Sequence, residues 1–131
     1  MSGTTDDDFR AIATIYLTKS LTRKQNYTIT QVPMEVSVPK VMVACHFLSY
    51  PYAVFFCHGL DSEHENKLFK VPLVGENVDR VEGLAICHFE TSTWDPNFPA
   101  LRKLGLKPGD PICHFLSKNN IIWVPSSATT Q

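Results

Sequence analysis

Every cysteine in this chain is followed by a histidine. The dipeptides Cys45-His46, Cys57-His58, Cys87-His88 and Cys113-His114 are separated by 10, 28 and 24 residues, and only His64 stands outside them. With five histidines among 131 positions, chance places one after all four cysteines on the order of once in a million arrangements. A single cysteine or histidine is most often a small buried thiol or a hydrogen-bonded core residue. Four coincidences together point to a shared framework of disulfides, metal ligands or both.

The segments that carry the dipeptides read as strands. Val41 to Leu48 and Tyr52 to His58 are rich in β-branched and aromatic residues, and Ser49-Tyr50-Pro51 between them signals a hairpin. Lys67 to Leu73 and Arg80 to Phe89 predict two further strands. Ile112 to Leu116 and Ile121 to Val124 predict a second hairpin across residues 117–120. Tyr27, Ile29 and Val32 suggest a short strand. Pro33 and Pro39 make residues 33–39 an edge or a loop, Ala100 to Lys103 reads as a helical turn, and Pro108 to Pro111 as a loop. Asp6 to Ser20 reads as a helix: Thr5 caps it, three aspartates occupy its first turn, and Phe9, Ile12, Ala13 and Tyr16 recur at helical spacing. The expected fold is mainly β, with antiparallel hairpins forming a sheet or sandwich and an N-terminal helix, α+β overall. The expected organisation is a helical segment over 1–24, one domain over 25–125 and a frayed tail over 126–131.

In a strand, successive side chains point to opposite faces. A cysteine and the histidine after it therefore separate, which sorts the eight residues into a cysteine set and a histidine set. If the first hairpin turns about Pro51, opposite residues sum to 102. Cys45 then faces Cys57, Ala44 faces His58, and His46 lies diagonal to His58. Opposite cysteines come close enough to be bridged, and diagonal histidines can reach one ion. Of the three connectivities open to four cysteines, this register and the matched placement of the later dipeptides favour Cys45–Cys57 with Cys87–Cys113. Two metal readings compete. One is a structural zinc held by thiolates or a Cys/His mixture, but such sites usually show close pairs such as C-x-x-C, and none occurs here. The other, favoured on ligand type and compartment, spends the cysteines on disulfides and leaves the imidazoles for copper.

The totals narrow the field further. The 12 basic and 13 acidic residues nearly cancel, so no basic excess points to nucleic acid. No apolar run is long enough to cross a bilayer. Met1 to Asp8 is polar and acidic, unlike a signal peptide. Disulfides, however, need an oxidising compartment, and Asn26-Tyr27-Thr28 is a glycosylation sequon. These hints place the protein in the secretory route. His64, among Asp61, Glu63 and Glu65, is expected to be a solvated loop residue. Trp94 and Trp123 are expected in the core or a pocket wall.

The pattern CH-x10-CH-x28-CH-x24-CH resembles the signature of the plant BURP domain. Supporting words are Tyr50-Pro51-Tyr52-Ala53-Val54-Phe55-Phe56-Cys57-His58, Val71-Pro72-Leu73, Thr91-Ser92-Thr93-Trp94 after Cys87-His88, Leu106-Lys107-Pro108-Gly109, and Cys113-His114-Phe115-Leu116 leading to Trp123-Val124-Pro125. The similarity runs from about Tyr27 to Pro125. The resemblance implies a plant protein made with a secretory leader and destined for the cell wall, the extracellular space or the vacuole. Some members are autocatalytic peptide cyclases that use copper and dioxygen to join a tyrosine or tryptophan side chain to another residue. By that likeness His46, His58, His88 and His114 ligate two type II copper centres, and Cys45, Cys57, Cys87 and Cys113 form stapling disulfides. Other members are non-catalytic, among them the β-subunit associated with polygalacturonase and several seed proteins. The implied partner is a peptide, in cis or in trans, or a cell-wall component, with neither nucleic acid nor membrane. This sequence departs from the pattern in lacking a leader, most of the upstream half of the domain, and a repeated core peptide within Met1 to Lys40. It therefore reads as truncated upstream.

Overall fold

The computed structural model describes residues 8–18, 24–38, 41–48, 53–61 and 66–130. Two antiparallel sheets dominate them. The first holds β1 (Phe9–Ile12), β10 (Ile121–Pro125), β5 (Val41–Leu48) and β6 (Val54–Asp61), in that order across the sheet. The second runs β11 (Thr129–Thr130), β4 (Met34–Ser37), β7 (Asn66–Gly75), β8 (Arg80–His88) and β2 (Ile15–Tyr16). In it, β3 (Tyr27–Ile29) also pairs with β7, and β9 (Ile112–Leu116) with β8.

The inner faces of the two sheets share one core. Met42 and Ala44 of β5 and Ile122 and Val124 of β10 meet Val36 of β4, Leu68 of β7, Leu84 and Ile86 of β8 and Leu116 of β9. These positions alternate along each strand, as a strand with one buried face requires. The first hairpin has the register read from the sequence, with Cys45 opposite Cys57 and Ala44 opposite His58. A single helix, α1 (Pro99–Leu104), lies between β8 and β9 among the described residues. Proline stands at its start, Leu101 is fully buried, and Gly105 ends it at φ 67°, a left-handed conformation that glycine adopts without cost.

Three expectations are corrected. The N-terminal helix is absent, and with it the α+β class: the protein is mainly β. Thr5, Asp6 and Asp7 lie outside the described residues. From Phe9 onward the chain forms β1, paired with β10, and then β2, paired with β8. The stripe of Phe9, Ile12, Ala13 and Tyr16 contains β-branched Ile12, and Ile15 beside it is β-branched too; both suit strands. Thr14 between them ties the segment down: its hydroxyl donates to the Leu116 carbonyl at 2.6 Å and accepts from the Leu84 N–H at 2.9 Å. Residues 8–18 thus belong to the two sheets and form no separate helical unit.

Second, β9 and β10 are not a hairpin. The turn closed by Asn120 N–H to Ser117 C=O carries the chain from one sheet to the other. Ile112 and Leu116 on one side and Ile122 and Val124 on the other are all buried. Placing them in facing sheets lets both sets enter the core. Third, the tail is not frayed through 130. Ala128 is buried, its carbonyl accepts from Arg10, and β11 pairs with β4. The 33–39 stretch accordingly contains a true strand, β4, held between β7 and β11.

Candidate functional site

Strand alternation carries the four histidines to one end of the sandwich. Met42 and Ala44 face the core, so His46 follows on the inner face of β5. By the same step of two, Leu84 and Ile86 lead to His88 on β8. His114 lies between buried Ile112 and Leu116 on β9, and His58 lies two residues before Leu60, which packs against the core. The cysteines occupy the opposite, outer faces, where each directly faces its partner across the ladder.

Both cysteine pairs are closed, Cys45–Cys57 and Cys87–Cys113, with Cα atoms 4.1 and 4.0 Å apart. This is the pairing read from the hairpin register. Among the described residues no cysteine is free, so no thiolate remains for the zinc alternative. The disulfides staple β5 to β6 and β8 to β9 beside the histidines.

On the inner faces the histidines meet diagonally, as the register demanded. His46 Nε2 lies 3.0 Å from His58 Nε2, and His88 Nε2 lies 3.4 Å from His114 Nε2. In each pair the rings stack, with centroids 5.2 and 5.5 Å apart. The same local arrangement is therefore built twice, once on each sheet. Among the described residues no three His, Cys, Asp or Glu side chains converge on one point; the unit is the imidazole pair.

The second pair has the more structured surroundings. Burial holds the pKa of His88 below the ordinary 6.5, and the charges of His114 and of His58, on the facing sheet, lower it further. Each of these effects favours the neutral His88 ring. Its Nδ1 lies 2.6 Å from Asn66 Oδ1, an oxygen that can only accept, so Nδ1 carries the proton and Nε2 the lone pair. His114 Nδ1 lies a long 3.4 Å from the Phe115 carbonyl, a contact too weak to set its tautomer. His88 Nε2 therefore presents its lone pair to His114 Nε2, which either donates an N–H to it or shares a metal ion with it. The Nε2 separations in both pairs suit two neighbouring ligand positions on one ion with bonds of about 2.0–2.1 Å. The donor set therefore fits a borderline transition metal such as copper.

Around the pairs stand aromatic rings. Trp94 is half-buried against His88, with ring centroids 5.4 Å apart, and Phe98 meets Trp94 edge-on. Trp94 is a wall of the site, as expected. Trp123 is not in the core; it lies exposed on the outer side of β10, between inward-facing Ile122 and Val124. His64 lies outside the described residues. Asn26 is exposed at the start of β3, where its amide donates to Glu76 Oε1 at 3.0 Å.

Asn66 and Thr91 were missed from the sequence. Asn66 stands directly opposite His88 in the β7–β8 ladder, a relation visible only once that register is known. Thr91, fully buried, donates to the Asp110 carbonyl and accepts from the Gly109 N–H, which fixes the loop that leads into β9.

The twofold Cys–His arrangement has a counterpart in known sequences: the family model described as "BURP domain" matches residues 1–125. The chain belongs to the BURP domain family. BURP domain-containing protein 17 of Oryza sativa subsp. japonica is 38% identical over 120 residues, 88% of this chain and 20% of that protein. BURP domain protein USPL1 of Arabidopsis thaliana is 43% identical over 101 residues, 76% of this chain and 35% of that protein. BURP domain protein RD22 of Arabidopsis thaliana is 37% identical over 115 residues, 87% of this chain and 28% of that protein. The chain thus spans between a fifth and about a third of the length of these relatives. The BURP match reaches back over the N-terminal strands, in keeping with their place in the two sheets.

Proposed function

We propose that this BURP domain binds copper through its two imidazole pairs, His46 with His58 and His88 with His114, in a site related to oxidative peptide macrocyclisation. The observation that carries the reading is the repeated pair of converging Nε2 atoms beside a disulfide that removes the thiolates from competition. Bound copper would supply one-electron redox chemistry and a place for dioxygen. The chain's own part is to hold neutral imidazoles in place and to wall the site with Trp94 and Phe98. The net reaction would join an aromatic side chain of a peptide to a second residue, with two hydrogens lost from the peptide and accepted by dioxygen.

Two disulfides fit an oxidising compartment, and no helix is long and apolar enough to cross a membrane. We place the protein in the secretory route, with the cell wall, extracellular space or vacuole as its destination and Asn26 as an accessible glycosylation site. A second reading is a non-catalytic, metal-stabilised module of the seed or cell wall. It is favoured by the stacking of each histidine pair on its own sheet, next to a staple, where a bound ion would lock two strands together.

One experiment tests both. The purified protein is loaded with copper and examined by spin resonance, then exposed to air and an aromatic-containing peptide. Nitrogen couplings without a thiolate charge-transfer band support histidine ligation, and a thiolate band overturns it. A peptide product lighter by two hydrogens supports catalysis; copper uptake without that product supports the structural module.

A further inference from the structure

Strand β6 closes one side of the four-stranded sheet, and among the described residues nothing pairs with its outer edge. It is eight residues long, and its described positions are exposed as far as Gly59. Protein edges are usually blunted by lysine, proline or a short length. β6 has none of these devices. Its first residues, Val54, Phe55 and Phe56, are apolar and about half exposed.

The ladder with β5 fixes which backbone groups this edge offers. In an antiparallel pair, close Cα partners are those that do not exchange hydrogen bonds with each other. Cys45 and Cys57 are such a pair, at 4.1 Å. The N–H and C=O of Cys57 therefore turn away from β5, and so do those of Phe55 and Gly59, two residues to either side in the same register. His58 and Phe56 spend theirs on β5 and point their side chains to the inner face. An added strand would hydrogen-bond to Phe55, Cys57 and Gly59, and its residue opposite His58 would lie on the same face as the imidazole pair.

We propose that the outer edge of β6 is a strand-addition site for an extended peptide, which runs antiparallel to β6 and delivers one side chain against His58. The proposal rests on the reading of the histidines as a reactive site and gives that site its substrate class: a peptide in β conformation, with an aromatic residue opposite His58 and apolar residues two positions to either side, over Phe56 and Leu60. Backbone hydrogen bonds would supply affinity and alternate side chains the selectivity, as in other complexes formed by strand addition.

The test uses the disulfide-bonded protein and the peptide acetyl-Val-Ser-Trp-Ser-Val-amide, followed by calorimetry and by amide exchange in NMR. The peptide is expected to slow exchange at Cys57 and Gly59, whose outward N–H groups face its two serines. Methylating the backbone nitrogens of both serines, which face the edge, should weaken binding at least tenfold; methylating those of Trp and the last Val, which face away, should not. Gly59→Pro removes one outward donor and spares the β5 ladder. A side chain has room there, the nearest neighbour to an added Cβ being Val41 Cγ2 at 3.9 Å. It should weaken binding at least tenfold, whereas Gly59→Ala, which keeps the N–H, should bind like the parent. Equal binding by the serine-methylated peptide overturns the proposal. So does an edge protected without peptide in proportion to protein concentration, which would make a second copy the occupant. Copper uptake is measured on the same samples. Protection at the edge without copper uptake upholds strand addition and removes the copper reading; copper uptake without protection does the reverse.

Discussion

The two Cys–His units share a blueprint and differ in setting. In each, paired cysteines face one another on the outer side and histidines meet diagonally on the inner side. The β5–β6 unit belongs to a hairpin whose second strand has no partner on its outer side among the described residues, with His58 exposed. The β8–β9 unit is backed by β7, walled by Trp94, and has Asn66 holding the proton on His88 Nδ1. A dipeptide in a strand dictates local geometry, because alternation acts over two residues. What the imidazoles can then do depends on the neighbours. The open unit is suited to admit a partner strand, and the walled unit to hold a defined tautomer.

The largest expected effect is the loss of one metal centre without the other. If each pair holds its own copper, His46→Ala or His58→Ala should halve the copper content, as should His88→Ala or His114→Ala. Combining one substitution from each unit should abolish it. Elemental analysis of protein loaded with copper and freed of excess measures this. Complete loss from any single substitution would show one shared centre and break the comparison at its root.

Next come the staples. Cys87–Cys113 spans 26 residues and Cys45–Cys57 spans 12. Loop-closure entropy assigns the longer about 3.5 kcal/mol and the shorter about 2.8 kcal/mol. Double serine substitution at 87 and 113 should therefore lower the urea midpoint more than the same change at 45 and 57. The reverse order would show that the open hairpin leans on its disulfide more than chain entropy predicts.

The two units were not equally legible in the amino-acid sequence. The β5–β6 register followed from a local turn, so residue numbers alone placed the cysteine pairing and the histidine diagonal. The β8–β9 unit was harder. Its strands are joined through α1 and a loop pinned by buried Thr91, and no local turn sets its register. The N-terminal helix failed because the Thr5 cap, the acidic first turn and the periodicity over Phe9 to Tyr16 are all local signals. The partners that make the segment extended, β10 and β8, lie more than sixty residues away. The second hairpin failed for a related reason: short strands joined by a tight turn look alike whether the chain returns to its own sheet or crosses to the facing one.

A smaller effect should separate the units through their supporting residues. Asn66→Leu removes the acceptor for His88 Nδ1 while filling similar volume. Loss of such an outer partner commonly costs about ten- to a hundredfold in metal affinity. Competition with a chelator should show that loss at one of two copper equivalents, the other keeping its affinity. A uniform loss at both would mean that Asn66 supports the whole end of the sandwich.

The smallest effect is a pH dependence of the metal-free protein. His88 has a folded pKa below its ordinary 6.5, chiefly from burial, then from His114 and His58. Between the lowered value and 6.5 the unfolded chain binds the proton more readily than the folded one, so stability rises with pH across that window. The stabilisation is complete above 6.5 and is lost as pH falls through the folded pKa. His88 is only partly buried, so solvent screening keeps the effect modest. Urea unfolding of the apo protein at a series of pH values should show this slope, and His88→Gln, which cannot titrate, should flatten it. The same slope in the variant would place the proton-linked penalty on another group and remove the electrostatic distinction between the walled unit and the open one.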